Sequence, residues 1–259
     1  MDDIIKDENA RYEEYENLLV DKDELIKEGE SIWVHYQQLF GQLITDIFEE
    51  KLECIKNKKV ISLYQAAINH GGHVFSHMVD KYLDKEMSDY YAELQRLISE
   101  KDSAEDAATV SAYASKRSKE LYRRLAKLLH PDINPLTDES EELQDLWVRT
   151  VKAYEEYDVK TLSELEVLVR KTLKELGAGE IKVEIPDIRE KIDALKEEIM
   201  HIRASEPYCH KALIENPEAV EKKTKELEEE LQKYKDYYQE LNRIILEMLN
   251  GGDLIIHVD

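Results

Sequence analysis

The sequence predicts a mostly all-α chain with at most one short two-stranded β element. Two observations predict the helices. Glycine and proline are scarce, 8 and 5 in 259 residues, and the first proline is Pro131. That leaves little of the punctuation a turn-rich β fold needs. Apolar residues also recur every three or four positions over long stretches, the spacing that lines one face of an α-helix. The β element rests on a third observation. Ile181, Val183 and Ile185 alternate with polar neighbours in 180–185 and read as a short strand, with 254–258 as its expected partner.

Charge narrows the range of functions. The chain carries 36 Lys+Arg against 58 Asp+Glu, a net −22. Such a surface repels phosphate backbones and anionic lipid, so neither nucleic acid nor membrane is expected as a partner. Two cysteines, Cys54 and Cys209, cannot supply a disulfide framework or a four-cysteine zinc site. The opening stretch is acidic without an apolar signal-peptide core, and no run reaches the length of a membrane span. A cytoplasmic protein is expected.

Taken in order, residues 10–53 read as the first helix, through Tyr12, Tyr15, Leu18, Leu19, Leu25, Ile32, Trp33, Tyr36, Leu39, Leu43 and Ile47. A second covers 60–69 and stops at Gly71-Gly72. A third runs over 74–100. Residues 101–110 (KDSAEDAATV) are small and polar and read as a linker or a weak helix start. After the centre of the chain, a helix over 188–202 carries Ile188, Ile192, Leu195, Ile199 and Ile202 at 4-3-4-3 spacing. A last helix over 220–248 places Val220, Thr224, Leu227, Leu231, Tyr234, Tyr238, Leu241, Ile245 and Met248 on one seam, ending at Gly251-Gly252. Heptads of this kind argue for a coiled coil. With a loop between Pro207 and Pro217 the two helices form an antiparallel hairpin; pairing between two copies of the chain is the other arrangement these heptads allow. The expected division is 1–100 (helical region), 101–115 (linker), 116–178 (central helical segment) and 179–259 (hairpin with short strands).

The central segment differs in character. Lys116, Arg117, Lys119, Arg123, Arg124 and Lys127 are six cations against the single anion Glu120, a patch of +5 that leaves −27 for the rest. On a helical wheel Leu121, Tyr122, Leu125, Leu128 and Leu129 share one side, while Lys116, Lys119, Arg123 and Lys127 fall opposite. His130-Pro131-Asp132 follows, and proline disfavours helix at the residue before it, so the helix ends near Leu129 or His130. Asp138 or Ser140 can cap the next helix. That helix runs to about Tyr157 with Leu143, Leu146, Trp147, Thr150, Val151 and Tyr154 on one face.

Tyr122-Arg123-Arg124-Leu125-Ala126, then His130-Pro131-Asp132, Asn134-Pro135 and Ala153-Tyr154, resemble the J domain of DnaJ-type co-chaperones. Trp147 stands where the family has an aromatic, usually Phe. The resemblance covers about 116–157. The stretch from Glu156 through Leu165 resembles a helical extension of some bacterial J-like proteins. The family's first helix, with Tyr-Tyr-x-x-Leu, has a counterpart only in Tyr90-Tyr91-Ala92-Glu93-Leu94, some forty residues before the loop. Either the third helix fills that place through a longer connection, or other parts of the chain complete the core. The glycine/phenylalanine linker and cysteine-rich repeats of full DnaJ proteins are absent.

The resemblance implies a partner and a mechanism. J domains bind a DnaK-type chaperone and stimulate its ATP hydrolysis, without covalent chemistry of their own, so no enzyme activity and no cofactor are expected. The implied docking residues are His130, Pro131, Asp132, Lys116, Lys119, Arg123, Arg124 and Lys127, with the flanks serving a client or other partner. A dense cationic row suits a transient acidic partner, and Asp132 suits a charge-assisted bond with an arginine. The competing reading is a scaffold whose J segment no longer couples to a chaperone. Trp147 and Tyr154 read as core. His70, His73 and His77 have spacing that admits a metal, but Gly71-Gly72 breaks the helix between the first two, and surface or packed histidines are the expected outcome.

Overall fold

The computed structural model describes residues 2–107, 110–177 and 187–257. Over these residues it is all-α apart from one two-stranded sheet. The first element, α1 (Asp2–Asn69), is one continuous helix of 68 residues, where the sequence suggests a break between 53 and 60. Residues 54–59 (CIKNKK) contain neither glycine nor proline, and Leu52, Cys54 and Asn57 are buried there, so contacts on one side carry the helix through. It ends where expected, at Gly71 and Gly72, which take φ of 108° and 79°. At Gly72 a Cβ would lie 2.2 Å from the Asp253 carbonyl oxygen, so only glycine fits.

Then follow β1 (His73–Phe75), α2 (Ser76–Glu105), α3 (Ala112–Leu129), α4 (Leu136–Glu139), α5 (Glu141–Glu155) and α6 (Val159–Glu175). After them come α7 (Ile188–Ala204), a 3₁₀ turn (Tyr208–His210), α8 (Lys211–Ile214), α9 (Pro217–Asn250) and β2 (Ile255–His257). The expected linker 101–115 is shorter than the composition suggests, because α2 continues to Glu105 and Ser111 caps α3 by accepting from the Ala114 N–H. Among the described residues no helix is long and apolar enough to cross a membrane.

The chain divides into two compact units, Met1–Ile32 with Ala108–Cys209, and Trp33–Ala107 with His210–Asp259. In the first, α3, α5 and α6 enclose a core of Leu121, Leu125, Leu129, Leu143, Leu162, Leu165 and Val169. Its helix starts are capped as the side chains dictate: Ser140 accepts from the Leu143 N–H, and Asp158 from the Thr161 N–H at 3.0 Å. The early part of α1 and α7 join this unit. Tyr15 and Leu19 pack with Ile192 and Leu195, and Lys22 bonds Glu198 at 2.9 Å, so α7 runs parallel to this part of α1. Gly29 admits Pro207, whose Cγ would be 3.2 Å from a Cβ there.

In the second unit α9 packs along the later part of α1. Phe40 and Ile47 meet Leu227, and the Asn57 amide donates to Asn242 at 3.0 Å. Returning along α1, α2 brings the Ala104 carbonyl to Gln38 (2.9 Å) and Glu86 to Lys59 (2.8 Å). The apolar rows of α7 and α9, expected to face each other in an antiparallel hairpin, each face α1 instead. The heptad period marks a buried face without naming its partner. The sheet has a strand that the sequence did not suggest. β2 pairs with β1, parallel, His73 opposite Ile255, while the expected partner strand 181–185 lies outside the described residues. Tyr90 and Tyr91 are exposed on α2 in the second unit, and the core around α3 and α5 is completed by α6.

Candidate functional site

α3 is amphipathic by sequence, so burying its leucines sets its cations on the remaining faces. Tyr122 lies flat on Tyr154, centroids 4.0 Å apart, and near Trp147 at 6.0 Å. These contacts hold α3 against α5. The aromatic residues taken from the sequence as core are in this place: Tyr154 is buried, and Trp147 is half-buried beside it. Arg124 turns toward α6 and forms a two-pronged pair with Glu166, at 2.8 and 2.9 Å. That guanidinium holds the Glu166 carboxyl down at about 2.

The helix ends at His130 with Pro131 next, as the pre-proline restriction demands. The corner is closed by its own side chains. Asn134 donates to the Leu128 carbonyl at 2.8 Å and accepts from the Leu136 N–H at 3.2 Å. The Asp132 N–H donates to His130 Nδ1 at 3.2 Å. A ring nitrogen that accepts in this way carries no proton, so the neutral imidazole has its hydrogen on Nε2. Burial pushes the His130 pKa down, against the opposing pull of Asp23 and Asp132. The ring stands edge-on to Trp147 at 5.2 Å. Pro131 is half-buried, Asp132 is exposed, and Ile133 is buried with Tyr15, Leu19, Ile192 and Leu195.

The cationic row faces the helix α1. Arg123 bonds both Glu24 and Asp21; Lys119 reaches Glu24 at 2.9 Å, and Lys127 reaches Glu16 at 3.7 Å. The Glu24 side chain is only 5% exposed beneath these cations. Tyr122 donates its hydroxyl to Asp23 at 2.8 Å. For Glu16, burial raises the pKa and outweighs the lowering by Lys127. Of the eight residues the sequence singles out, Lys119, Arg123 and Lys127 are thus engaged by α1 and Arg124 by α6. Lys116 and Asp132 are exposed, and His130 and Pro131 form the half-buried corner.

A second fastening lies at the end of α5. Lys27 is buried, donates to the Glu155 carbonyl at 2.9 Å, and stands over the rings of Tyr157 (3.8 Å) and Tyr154 (4.7 Å). A cation is favoured at a helix C-terminus and over aromatic faces, while its burial lowers its pKa. Tyr157 itself has φ of 53°, a conformation usual for glycine after a helix, and its hydroxyl lies 3.1 Å from Ser31 Oγ.

Sequence reasoning missed Glu16, Asp21, Asp23, Glu24 and Lys27. The stripe Tyr12, Tyr15, Leu19 shows that this helix packs on something; that its acids match the spacing of the basic row is the only signal that could have named the partner.

Of the histidines weighed for a metal, His73 Nδ1 lies 2.9 Å from His257 Nε2 across the β1–β2 ladder, and His77 opens α2. Among the described residues no group of three or more His, Cys, Asp or Glu side chains is placed to hold a metal. Compared with protein-family models, with curated proteins and with solved structures, the chain matches none of them.

Proposed function

We propose that this chain is a J-type co-chaperone that binds a DnaK-type chaperone and stimulates its ATP hydrolysis. The observation that carries the reading is the corner at His130-Pro131-Asp132. It ends a cationic helix and is stiffened by proline, by the Asn134 bonds and by the neutral imidazole, while the Asp132 carboxylate is in solvent. A rigid loop that offers one exposed acid beside a row of cations suits a transient partner with an acidic surface and an arginine within reach. The chain acts on the partner's nucleotide cycle and makes no bond itself, in the cytoplasm. Its long helices would serve a client or assembly.

A second reading has one specific observation in its favour. Lys119, Arg123 and Lys127 already have acidic partners on α1, as expected for a scaffold whose J-like segment is an internal packing element.

Single-turnover ATP hydrolysis by the DnaK-type chaperone of the same host separates the two. The full chain is expected to accelerate hydrolysis and His130→Gln or Asp132→Asn to abolish the effect, with the helical content of each variant unchanged. Stimulation that survives both substitutions overturns the co-chaperone reading. So does its absence from every form of the chain, including one whose α1 acids are neutralised.

A further inference from the structure

We infer that the acidic face of α1, Glu16, Asp21 and Glu24, is an internal stand-in for the chaperone's acidic surface, occupying the docking row of α3 until a partner displaces it. The inference rests on the co-chaperone reading and concerns regulation of the same site.

Three observations carry it. The first is complementarity: acids on three successive turns of α1 meet Lys127, Arg123 and Lys119 in antiparallel order, Glu16 at one end and Glu24 at the other. The cations engaged are the ones whose row is opposite the buried leucines. The second is that α3, α5 and α6 fill their own core. Of the buried residues gathered there, only Val20 comes from α1. The contact along the row is polar, with Asp21 half-exposed, and polar contacts of this kind weaken with salt and exchange readily with an equivalent partner. The third is where the cover stops. Lys116, one turn before Lys119, and Asp132, just past the helix end, are exposed, and Lys119, though paired with Glu24, keeps half of its side chain in solvent. An incoming acidic surface therefore has a cation to land on before it must compete with α1.

Two attachments oppose release. Tyr12 donates its hydroxyl to the Ile133 carbonyl at 3.1 Å, and Ile133 is buried between α1 and α7. At the far end Lys27 is held by Glu155 and the two tyrosine rings. The mask is thus pinned at both ends by contacts outside the row, anchored at its middle by buried Val20 and the Tyr122–Asp23 bond, and held to the cations themselves by charge. Removing charge alone should therefore free the cations of the row and leave the fold standing. A docking site that is open for only a fraction of the time has its apparent affinity reduced by that fraction.

The test uses the full chain in four forms: wild type, Asp21→Asn, the triple Glu16→Gln with Asp21→Asn and Glu24→Gln, and that triple with His130→Gln. Each is assayed for stimulation of single-turnover ATP hydrolysis by the host's DnaK-type chaperone at subsaturating concentration. Each is also treated with an amine-acetylating reagent and read lysine by lysine by mass spectrometry. The expected result is about tenfold more stimulation by the triple than by wild type, lost again with His130→Gln. Lys119 and Lys127 should react more slowly than Lys116 in wild type only. Asp21→Asn should move both readouts the same way by less, and it keeps the test open if circular dichroism shows that the triple has lost helix. Equal stimulation by wild type, Asp21→Asn and triple, with the three lysines equally reactive in wild type, overturns the mask and leaves the co-chaperone reading intact. Faster acetylation of Lys119 and Lys127 in the triple, with no stimulation by any form, overturns the co-chaperone reading and the proposed regulation with it.

Discussion

The helices α3, α5 and α6 and the α1–α9 seam of the second unit bury their apolar residues in different ways. In the first, three helices meet, so a leucine such as Leu125 is enclosed from all sides and leaves no surface to solvent. In the second, helices meet pairwise, and the buried positions of α1 include Gln37, Thr45 and Asn57 beside Phe40 and Leu52. A three-sided core specifies its arrangement by volume, because any void or excess is felt. A seam has an open side, so it tolerates volume changes better, and its register is specified by polar pairs such as Asn57–Asn242. The same contrast separates the fixed part of the first unit from its cover: leucines close the core, and charges hold α1 along the basic row.

The largest effect should therefore come from truncation in the three-helix core. Leu125→Ala is expected to cost about 3 kcal/mol, and Leu227→Ala, 6% exposed on the seam, about 2 kcal/mol, since cavity terms grow with enclosure. Urea unfolding followed by circular dichroism gives both values. A smaller loss at Leu125 than at Leu227 breaks the comparison.

Next in size is the polar pair of the seam. Asn57→Ala strands the Asn242 amide in a half-dry groove and should cost about 1–2 kcal/mol. Replacing both residues with leucine should recover that loss while loosening the register of α9 on α1. Spin-label distances between α1 and α9 that stay as narrowly distributed as in wild type would remove the register role from Asn57.

Much of this organisation is legible in the sequence, and the remainder is illegible for a physical reason. The basic helix, its end before Pro131, the Ser140 cap and the Gly71-Gly72 stop all depend on residues within a turn or two, where local sterics decide. The continuity of α1 through residues 54–59 does not, because nothing local breaks that helix or requires it. Partners are harder still. The stripes of α1, α7 and α9 share one period, so the sequence marks three buried faces and leaves their pairing open. The hairpin assigned to the last two fails on that point. The acids at Glu16, Asp21 and Glu24 look like any solvated helix face until α3 is laid against them, and for this reason the candidate site was legible as a row of cations but not as a covered one.

The ion pair on the other flank of α3 gives a pH signature. Glu166 is held at about 2 by Arg124, below its usual 4.5. A carboxyl whose folded pKa is depressed contributes stability above its unfolded value, and the contribution disappears as pH falls through the folded one. The pair should thus support the three-helix core in full above about pH 4.5 and lose its contribution progressively down to about pH 2. In an acid titration followed by helical signal, Glu166→Gln should begin to unfold at higher pH than wild type, and the two curves should merge near pH 2. A pair joined by one bond to a flexible lysine should do less. Lys59–Glu86 on α1 and α2 is also shifted in the stabilising direction, but Glu86 takes one bond from Lys59 where Glu166 takes two from Arg124 and a third from Arg170, and Glu86→Gln should move the acid transition less. If the two substitutions shift the curve equally, the two-pronged arginine is not what distinguishes the first unit's charges.

The smallest effect tests the fastening of α1 at its Lys27 end. Tyr157 holds a left-handed conformation, with φ of 53°, that costs a tyrosine about 1 kcal/mol and glycine almost nothing. In return its ring lies under Lys27 and its hydroxyl beside Ser31 Oγ, contacts of about the same size together. Tyr157→Gly loses the contacts and the strain at once, so stability should change by less than about 0.5 kcal/mol. Tyr157→Ala loses the contacts and keeps the strain, and should be about 1 kcal/mol less stable than the glycine variant. Because the contacts belong to α1 and the strain to the turn between α5 and α6, the two variants report on different things. The Gly–Ala difference measures the turn. The acetylation rate of Lys27, buried in wild type, measures the grip of α1 and should rise in both variants alike. A Lys27 that stays protected when the ring is gone would assign that grip to the Glu155 carbonyl alone.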